Sequence, residues 1–131
     1  MKDLKIRNYS KADEDDLFDM MREEGEEWKE YWDPEGIERC KEILADSIVF
    51  VACDRDGMCG YIRCRRDGVF GIYIYDLLVT GTKRGNNIGR ALTDHVCSSF
   101  PGETVYAMSA IDEYYRKQGY SEKGRIFTVR E

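Results

Sequence analysis

Residues able to bind an anion and to place a charge in an apolar setting are concentrated between Ile72 and Ser99, IYIYDLLVTGTKRGNNIGRALTDHVCSS. The polar run Thr80-Gly81-Thr82-Lys83-Arg84-Gly85-Asn86-Asn87 joins an apolar, aromatic segment to one with helical periodicity. A strand feeding a helix through such a loop leaves free backbone N–H groups at the helix start, where the dipole also favours anions. This is a phosphate site in outline, and Lys83, Arg84 and Arg90 add positive charge to it. Asp76 is a lone acid within the apolar segment, a position that costs free energy unless the carboxylate is solvated or paired. Arg63 and Arg65 are the candidate partners. A third stretch, Glu26 to Asp33, sets Trp28, Tyr31 and Trp32 among acids. It suits a cationic ligand by charge and by cation–π contact, or else a solvated acidic face with tryptophans turned into the core.

The remaining chemistry-bearing residues are weaker candidates. His95, the only histidine, falls on the apolar side of the helix after the loop and reads as a buried, hydrogen-bonded core residue. Cys40, Cys53, Cys59, Cys64 and Cys97 are irregularly spaced and lack accompanying histidines, so no metal site is expected.

The elements that position these residues can be read in order. Leu4–Tyr9 is a short strand, and Ser10–Asp13 caps a helix to Glu24 whose stripe is Leu17, Met20 and Met21. Pro34 begins a second helix with Ile37, Cys40, Ile43 and Leu44 on its buried side. Ser47–Cys53, Met58–Arg66 and Val69–Val79 form an antiparallel meander turned by Asp56-Gly57 and Asp67-Gly68. Ile88, Ala91, Leu92, His95, Val96 and Ser99 define the helix after the loop. Thr104–Met108 is a strand reached by crossover, expected parallel to the one ending at Val79. Ser109–Asp112 has the form of a capping box, so Tyr114 and Tyr115 lie early in a helix stopping at Gly119, and Arg125–Arg130 is a last strand. The expectation is a single α+β domain over residues 1–131.

Composition narrows the function classes. The 131 residues carry a net charge of −6. That balance disfavours nucleic acid, which is bound by Lys and Arg neutralising phosphates, and makes a cationic partner electrostatically easier. No apolar run approaches the roughly 20 residues of a membrane span. The first residues have no apolar signal core, so a cytoplasmic protein with reduced thiols is expected.

In element order and in two motifs the chain resembles the GNAT superfamily of acyl-CoA-dependent N-acyltransferases. The family's phosphate loop, Arg/Gln-x-x-Gly-x-Gly/Ala, is matched by Arg84-Gly85-Asn86-Asn87-Ile88-Gly89, followed by Arg90-Ala91-Leu92. Its later Phe-Tyr-x-x-x-Gly-Phe is matched by Tyr114-Tyr115-Arg116-Lys117-Gln118-Gly119-Tyr120. Asn87 stands where the pattern prefers glycine, a substitution that Asn's tolerance of positive φ accommodates. Met108 stands where the family often has Asn.

The resemblance implies a mixed, mostly antiparallel sheet flanked by helices in an α/β/α arrangement, with a splayed parallel strand pair. It implies that the backbone of Gly85, Asn86, Asn87, Ile88, Gly89 and Arg90, with Arg84, holds the pyrophosphate of acetyl-CoA. Backbone groups of Leu77, Leu78 and Val79 would pair with the pantetheine arm, a donor there also stabilising an oxyanion. Tyr115 would be the general acid to the departing thiolate. Asp76-Leu77-Leu78-Val79 matches a pattern in amine acetyltransferases of the superfamily, in which the acid faces the acceptor. Asp76 would then hold a primary amine and relay its proton, with Trp28 and Tyr31 in the acceptor wall. Deprotonating an amine of pKa about 10.4 costs about 5 kcal/mol at neutral pH. The expected activity is acetyl transfer from acetyl-CoA to an amine of a small molecule or peptide by direct attack on the thioester, without metal. A homodimer is compatible with this. The alternatives are a protein N-terminal or lysine acetyltransferase, and a non-catalytic CoA-binding or protein-interaction domain of the same fold.

Overall fold

A computed structural model of the chain describes residues 3–109 and 111–131. Five strands form one sheet in the order β1-β2-β3-β4-β5: Lys5–Asn8, Ile48–Asp54, Gly57–Arg66, Ile72–Val79 and Val105–Ala107. The first four are antiparallel neighbours, and β5 joins β4 in parallel. The helices are α1 (Glu14–Glu24), α2 (Lys29–Trp32), α3 (Pro34–Ala45), α4 (Ile88–Ser99) and α5 (Asp112–Lys117).

Alternation along the strands builds a core on each face of the sheet. On one face Phe50, Ile62, Cys64, Ile72 and Ile74 pack with Ile88, Leu92 and Val96 of α4. On the other, Val49, Tyr61 and Leu78 pack with Leu17, Phe18 and Met21 of α1 and Cys40 and Leu44 of α3. Each fully buried Leu or Ile contributes roughly 1.5–3 kcal/mol. α3 starts as its sequence dictates, with Pro34 in the first turn and the Asp33 carboxylate accepting the Gly36 amide at 2.5 Å.

The course of β4 positions the site. Arg63 pairs with Asp76 and Cys64 with Ile74, so Tyr75 is an extra residue, a β-bulge. The bulge reverses the alternation. Ile74 and Leu77 both pack toward α4, while Leu78 turns to the opposite core. The parallel pairing runs only from Ile72–Val105 to Ile74–Ala107, closed by the Met108 amide on the Ile74 carbonyl at 2.9 Å. Beyond the bulge β4 continues to Val79 without β5 beside it.

Ile43, expected on the buried side of α3, is 42% exposed, and three expectations about the elements also need correction. Residues 69–71 are not strand: Gly68–Phe70 is a short 3-10 turn and β4 begins at Ile72, because the Asp67 and Phe70 amides close the turn on Gly71 and Asp67 carbonyls. The Ser109 hydroxyl donates to the Asp112 carboxylate at 2.8 Å instead of capping backbone, and α5 begins only at Asp112. Arg125–Arg130 forms no strand, having no neighbour to pair with among the described residues.

Candidate active site

β4 runs directly into the loop, where Gly81–Lys83 makes one 3-10 turn, Arg84 is extended and Gly85 takes φ 85°. Asn87 caps α4 at φ 60° and ψ 24°, the left-handed conformation that the residue in this position must adopt. Its side chain caps no helix amide. The first amides of a twelve-residue helix are therefore left to an incoming acceptor, the arrangement an anion requires.

The loop's cations are not free charges. Lys83 sits between Asp54 at 3.0 Å and Asp56 at 2.6 Å. Arg84 pairs with Glu24 at the end of α1, and its Nε donates to the Val79 carbonyl at 3.1 Å. Arg90 bonds Asp94 and the Gln118 carbonyl, with its guanidinium over the Tyr120 ring. Their positive charge is offset locally, so the backbone carries most of the loop's capacity to hold phosphate.

The same helix start meets the other two stretches that sequence singles out. A Cβ built on Gly89 would lie 2.5 Å from the Tyr114 hydroxyl and 3.7 Å from Leu77 Cδ2. Gly89 thus admits α5 and β4 to the first turn of α4. Tyr115, on the next position of α5, is half-buried, edge-on to Tyr114 at 5.1 Å and 6.2 Å from Tyr120. Burial, reinforced by the two neighbouring tyrosines, pushes its phenol up to about 12. Among the described residues its hydroxyl has no hydrogen-bond partner in the fold. The Thr80 amide bonds the Cys59 carbonyl at 2.9 Å, so alternation turns Leu78 to β3 and leaves Leu77 and Val79 facing the edge that β5 has vacated.

Asp76 lies on the other face, 7% exposed. One carboxylate oxygen accepts the Tyr31 hydroxyl at 2.6 Å; the other accepts the Tyr61 hydroxyl at 2.7 Å and Arg63 Nε at 2.6 Å. Arg65 goes instead to Asp46. Burial, then the Asp76 charge, raises both phenols above the ordinary tyrosine range, so both remain donors. Trp28 tilts against Tyr31 at 4.9 Å, and Trp32 Nε1 donates to the Gly25 carbonyl at 3.1 Å, bracing the segment that leads into α2. The expected trio of Asp76, Tyr31 and Trp28 is thus brought together, with Tyr31 and Trp28 packed against the helix-side core.

Sequence reasoning missed a shallow pocket of about 260 Å³ lined by Arg65, Arg66, Asp67, Tyr73, Tyr75 and Met108. It opens where β4 and β5 part, with Tyr75 of the bulge in its lining. Sequence reasoning also missed the approach of Tyr114 to Gly89, which the tyrosine pair at fixed separation from the loop could have signalled. His95 is half-buried rather than buried, packed edge-on against Phe50 at 4.5 Å. Among the described residues no group of three or more His, Cys, Asp or Glu is placed to hold a metal, and no helix is long and apolar enough to cross a membrane.

A family model described as an acetyltransferase (GNAT) domain matches residues 15–130. The chain belongs to the GNAT acetyltransferase family. A GNAT family acetyltransferase of Streptococcus pneumoniae TIGR4 superposes with a TM-score of 0.72 at 22% identity, covering 98% of this chain and 99% of that one. The aminoglycoside N-acetyltransferase AAC(6')-Iy, in complex with CoA, gives 0.74 at 17% identity over 98% and 94%. Glucosamine-6-phosphate N-acetyltransferase of Arabidopsis thaliana gives 0.63 at 18% over 97% of each chain. At such identities these likenesses establish the fold. Comparison with curated protein sequences gives no match. The five-stranded mixed sheet with its one parallel pair is the GNAT sheet that the motifs implied.

Proposed function

We propose that this GNAT domain transfers an acetyl group from acetyl-CoA to a primary amine of a small molecule or peptide. The observation that carries the reading is the meeting at Gly89 of β4, α5 and the uncapped start of α4. It sets an uncapped helix start beside a strand edge where the Leu77 backbone and the Val79 amide face no strand, the Val79 carbonyl being taken by Arg84. That donor set fits acetyl-CoA, which supplies an activated acyl carbon as a thioester. Amides of Gly85, Asn86, Asn87, Ile88, Gly89 and Arg90 hold the pyrophosphate, with Arg84 able to exchange Glu24 for a phosphate oxygen. The backbones of Leu77, Leu78 and Val79 orient the arm, Leu77 and Val79 directly and Leu78 by fixing the strand on β3.

Tyr115 is the proton donor on the thiol side. At a pKa near 12 it keeps its proton throughout the working range, but full transfer to a thiolate of ordinary pKa, about 8.5, is uphill by about 5 kcal/mol. Its contribution is therefore a hydrogen bond to the developing thiolate with late proton release. Asp76, saturated by Tyr31, Tyr61 and Arg63, is a positioning residue: it fixes the Tyr31 phenol, and through it the Trp28 wall, over the face where the acceptor arrives. The pocket beside Tyr75 and Met108 is the acceptor's entry. The structural relatives named for aminoglycoside and glucosamine-6-phosphate acetylation support an amine on a small polar molecule.

The test is release of free thiol from acetyl-CoA by purified protein with a panel of polyamines, amino sugars, amino acids and peptides. Amine-dependent release is expected. CoA binding without turnover on any amine class would reassign the chain as a non-catalytic CoA-binding domain.

A further inference from the structure

Charge is spread unevenly over the chain. Its net charge is −6, yet the shallow pocket beside β4 is lined by Arg65 and Arg66 against a single acid, Asp67. Strand register explains the placement. Arg65 pairs with Tyr73 across β3 and β4, and Tyr73 with Tyr106 across β4 and β5, the two rings stacked at 5.0 Å. Arg63 is already matched: its Nε bonds the buried Asp76, and its guanidinium lies over the Tyr75 ring at 5.4 Å.

The two lining arginines are held more loosely. Arg65 pairs at 2.9 Å with Asp46, whose side chain is 78% exposed, and Arg66 pairs at 2.8 Å with Glu103. Both arginine side chains remain about half exposed. Ion pairs in water are weak and a guanidinium has five N–H donors, so both can turn to a further oxyanion. They stand at the β3 end of the pocket. Met108 marks the other end, its amide on the Ile74 carbonyl where β5 leaves β4. The Tyr73 and Tyr75 rings line the space between.

Given acetyl transfer to an amine that enters by this pocket, we propose that the acceptor carries a phosphate or carboxylate at its far end. Arg65 and Arg66 bind the anion, and the amine reaches past Tyr75 and Met108 toward the strand edge. The local field of the pocket, and not the net charge of the chain, then selects the molecule.

Phenethylamines bearing a para phosphate ester, carboxylate, hydroxyl or aminomethyl group share one skeleton and differ in the charge at the far end. Two quantities are read: kcat/KM with acetyl-CoA, and affinity in the presence of CoA by titration calorimetry. At least one anionic amine is expected to exceed the hydroxyl amine about tenfold or more in both, and the better of the two shows which oxyanion fits. Arg65→Gln and Arg66→Gln are expected to lower that ratio about tenfold, with lysine restoring part of it, while Asp46→Asn, which releases Arg65, raises it. All three positions are exposed, and circular dichroism checks the fold of each variant. No advantage to either anion, in turnover or in binding, overturns the proposal, as does a ratio that these substitutions leave unchanged. Turnover of the hydroxyl or aminomethyl amine in that case leaves acetyl transfer standing. Arginine-dependent binding of an anionic amine without turnover of any amine supports the anion site and overturns acetyl transfer instead.

Discussion

Tyr31 on α2 donates its hydroxyl to Asp76 on β4 at 2.6 Å, across 45 residues of sequence. The same carboxylate takes Tyr61 and Arg63, whose side chain is 13% exposed. Asp76→Asn leaves a buried guanidinium without its counter-charge, a loss of roughly 3–5 kcal/mol in stability. Tyr31→Phe removes one hydrogen bond to a charged group, roughly 1.5–3 kcal/mol, and is expected to raise the acceptor KM more than it changes CoA affinity. Urea midpoints and steady-state kinetics on both variants check this. An Asp76→Asn protein of unchanged stability whose rate loss varies with pH would make Asp76 the base instead.

Much of this geometry was legible in the residues, and the rest depended on register. α4 has the bounds its periodicity gave, Ile88–Ser99, because one face is apolar at helical spacing and the flanking turns are unambiguous. The hairpin strands β2 and β3 follow their alternation to within a residue at each end. Arg63 and Arg65 lie two apart and face the same side, so only pairing register could assign Asp76 to Arg63. The family resemblance implied a bulge in this strand, but its position at Tyr75 left no trace, since a tyrosine suits a regular strand as well as a bulged one. The Arg125–Arg130 segment has strand composition, but composition cannot supply a neighbour.

Gly89 and Tyr114 test whether the first turn of α4 is shaped by contact. An alanine in a helix is favoured over glycine by about 1 kcal/mol. Here its methyl would stand 2.5 Å from the Tyr114 hydroxyl. Overpacking costs about 1–3 kcal/mol where the neighbour is fixed. The phenol is the far end of a rotatable side chain, so Tyr114 swings aside and the fold loses less than that. Gly89→Ala is expected to leave stability within about 1 kcal/mol of wild type while displacing Tyr114 and weakening CoA, and Tyr114→Phe in the same chain to restore much of the affinity. A thermal and calorimetric double-mutant cycle gives the coupling; additive effects would mean the two do not touch.

Asn87 tests the loop's conformation independently of contact. Its φ of 60° is open to glycine, tolerable to asparagine and poor for a branched residue. Asn87→Gly is expected to bind CoA as well as wild type or better. Asn87→Val should lose about 1–2 kcal/mol of loop stability, roughly tenfold in CoA affinity by titration calorimetry. Equal affinity in the two variants would remove the loop from the cofactor site.

Tyr115, with its phenol pushed up to about 12 by burial and then by Tyr114 and Tyr120, titrates above the usable pH range. The rate should therefore rise with pH as the acceptor amine loses its proton, with no alkaline limb from this residue below about pH 10. Tyr115→Phe should lower kcat by roughly 10–100-fold at every pH while leaving CoA affinity within about twofold. A full pH–rate profile of both proteins decides it, and an unchanged kcat would exclude Tyr115 as the donor.

Asp13 gives the acid limit of stability. Its side chain is 8% exposed, and the Arg7 guanidinium bonds both carboxylate oxygens, at 2.8 and 2.7 Å, while the Ser10 amide adds a third bond. The Arg7 hydrogen bonds, helped by Ser10 and opposed by burial, lower the carboxyl to about 2. A depressed native pKa means that the contribution is complete above the unfolded value of about 3.9 and is lost as pH falls toward about 2. Arg7 is half in water, 51% exposed, so screening reduces the contribution to about 1 kcal/mol. Wild type should exceed Asp13→Asn by that amount in urea midpoint-derived stability near pH 5, and the gap should narrow steadily toward pH 2, because only wild type loses a charge there. A gap constant over that range would show that Asp13 acts through hydrogen bonds its amide also makes, and not through charge.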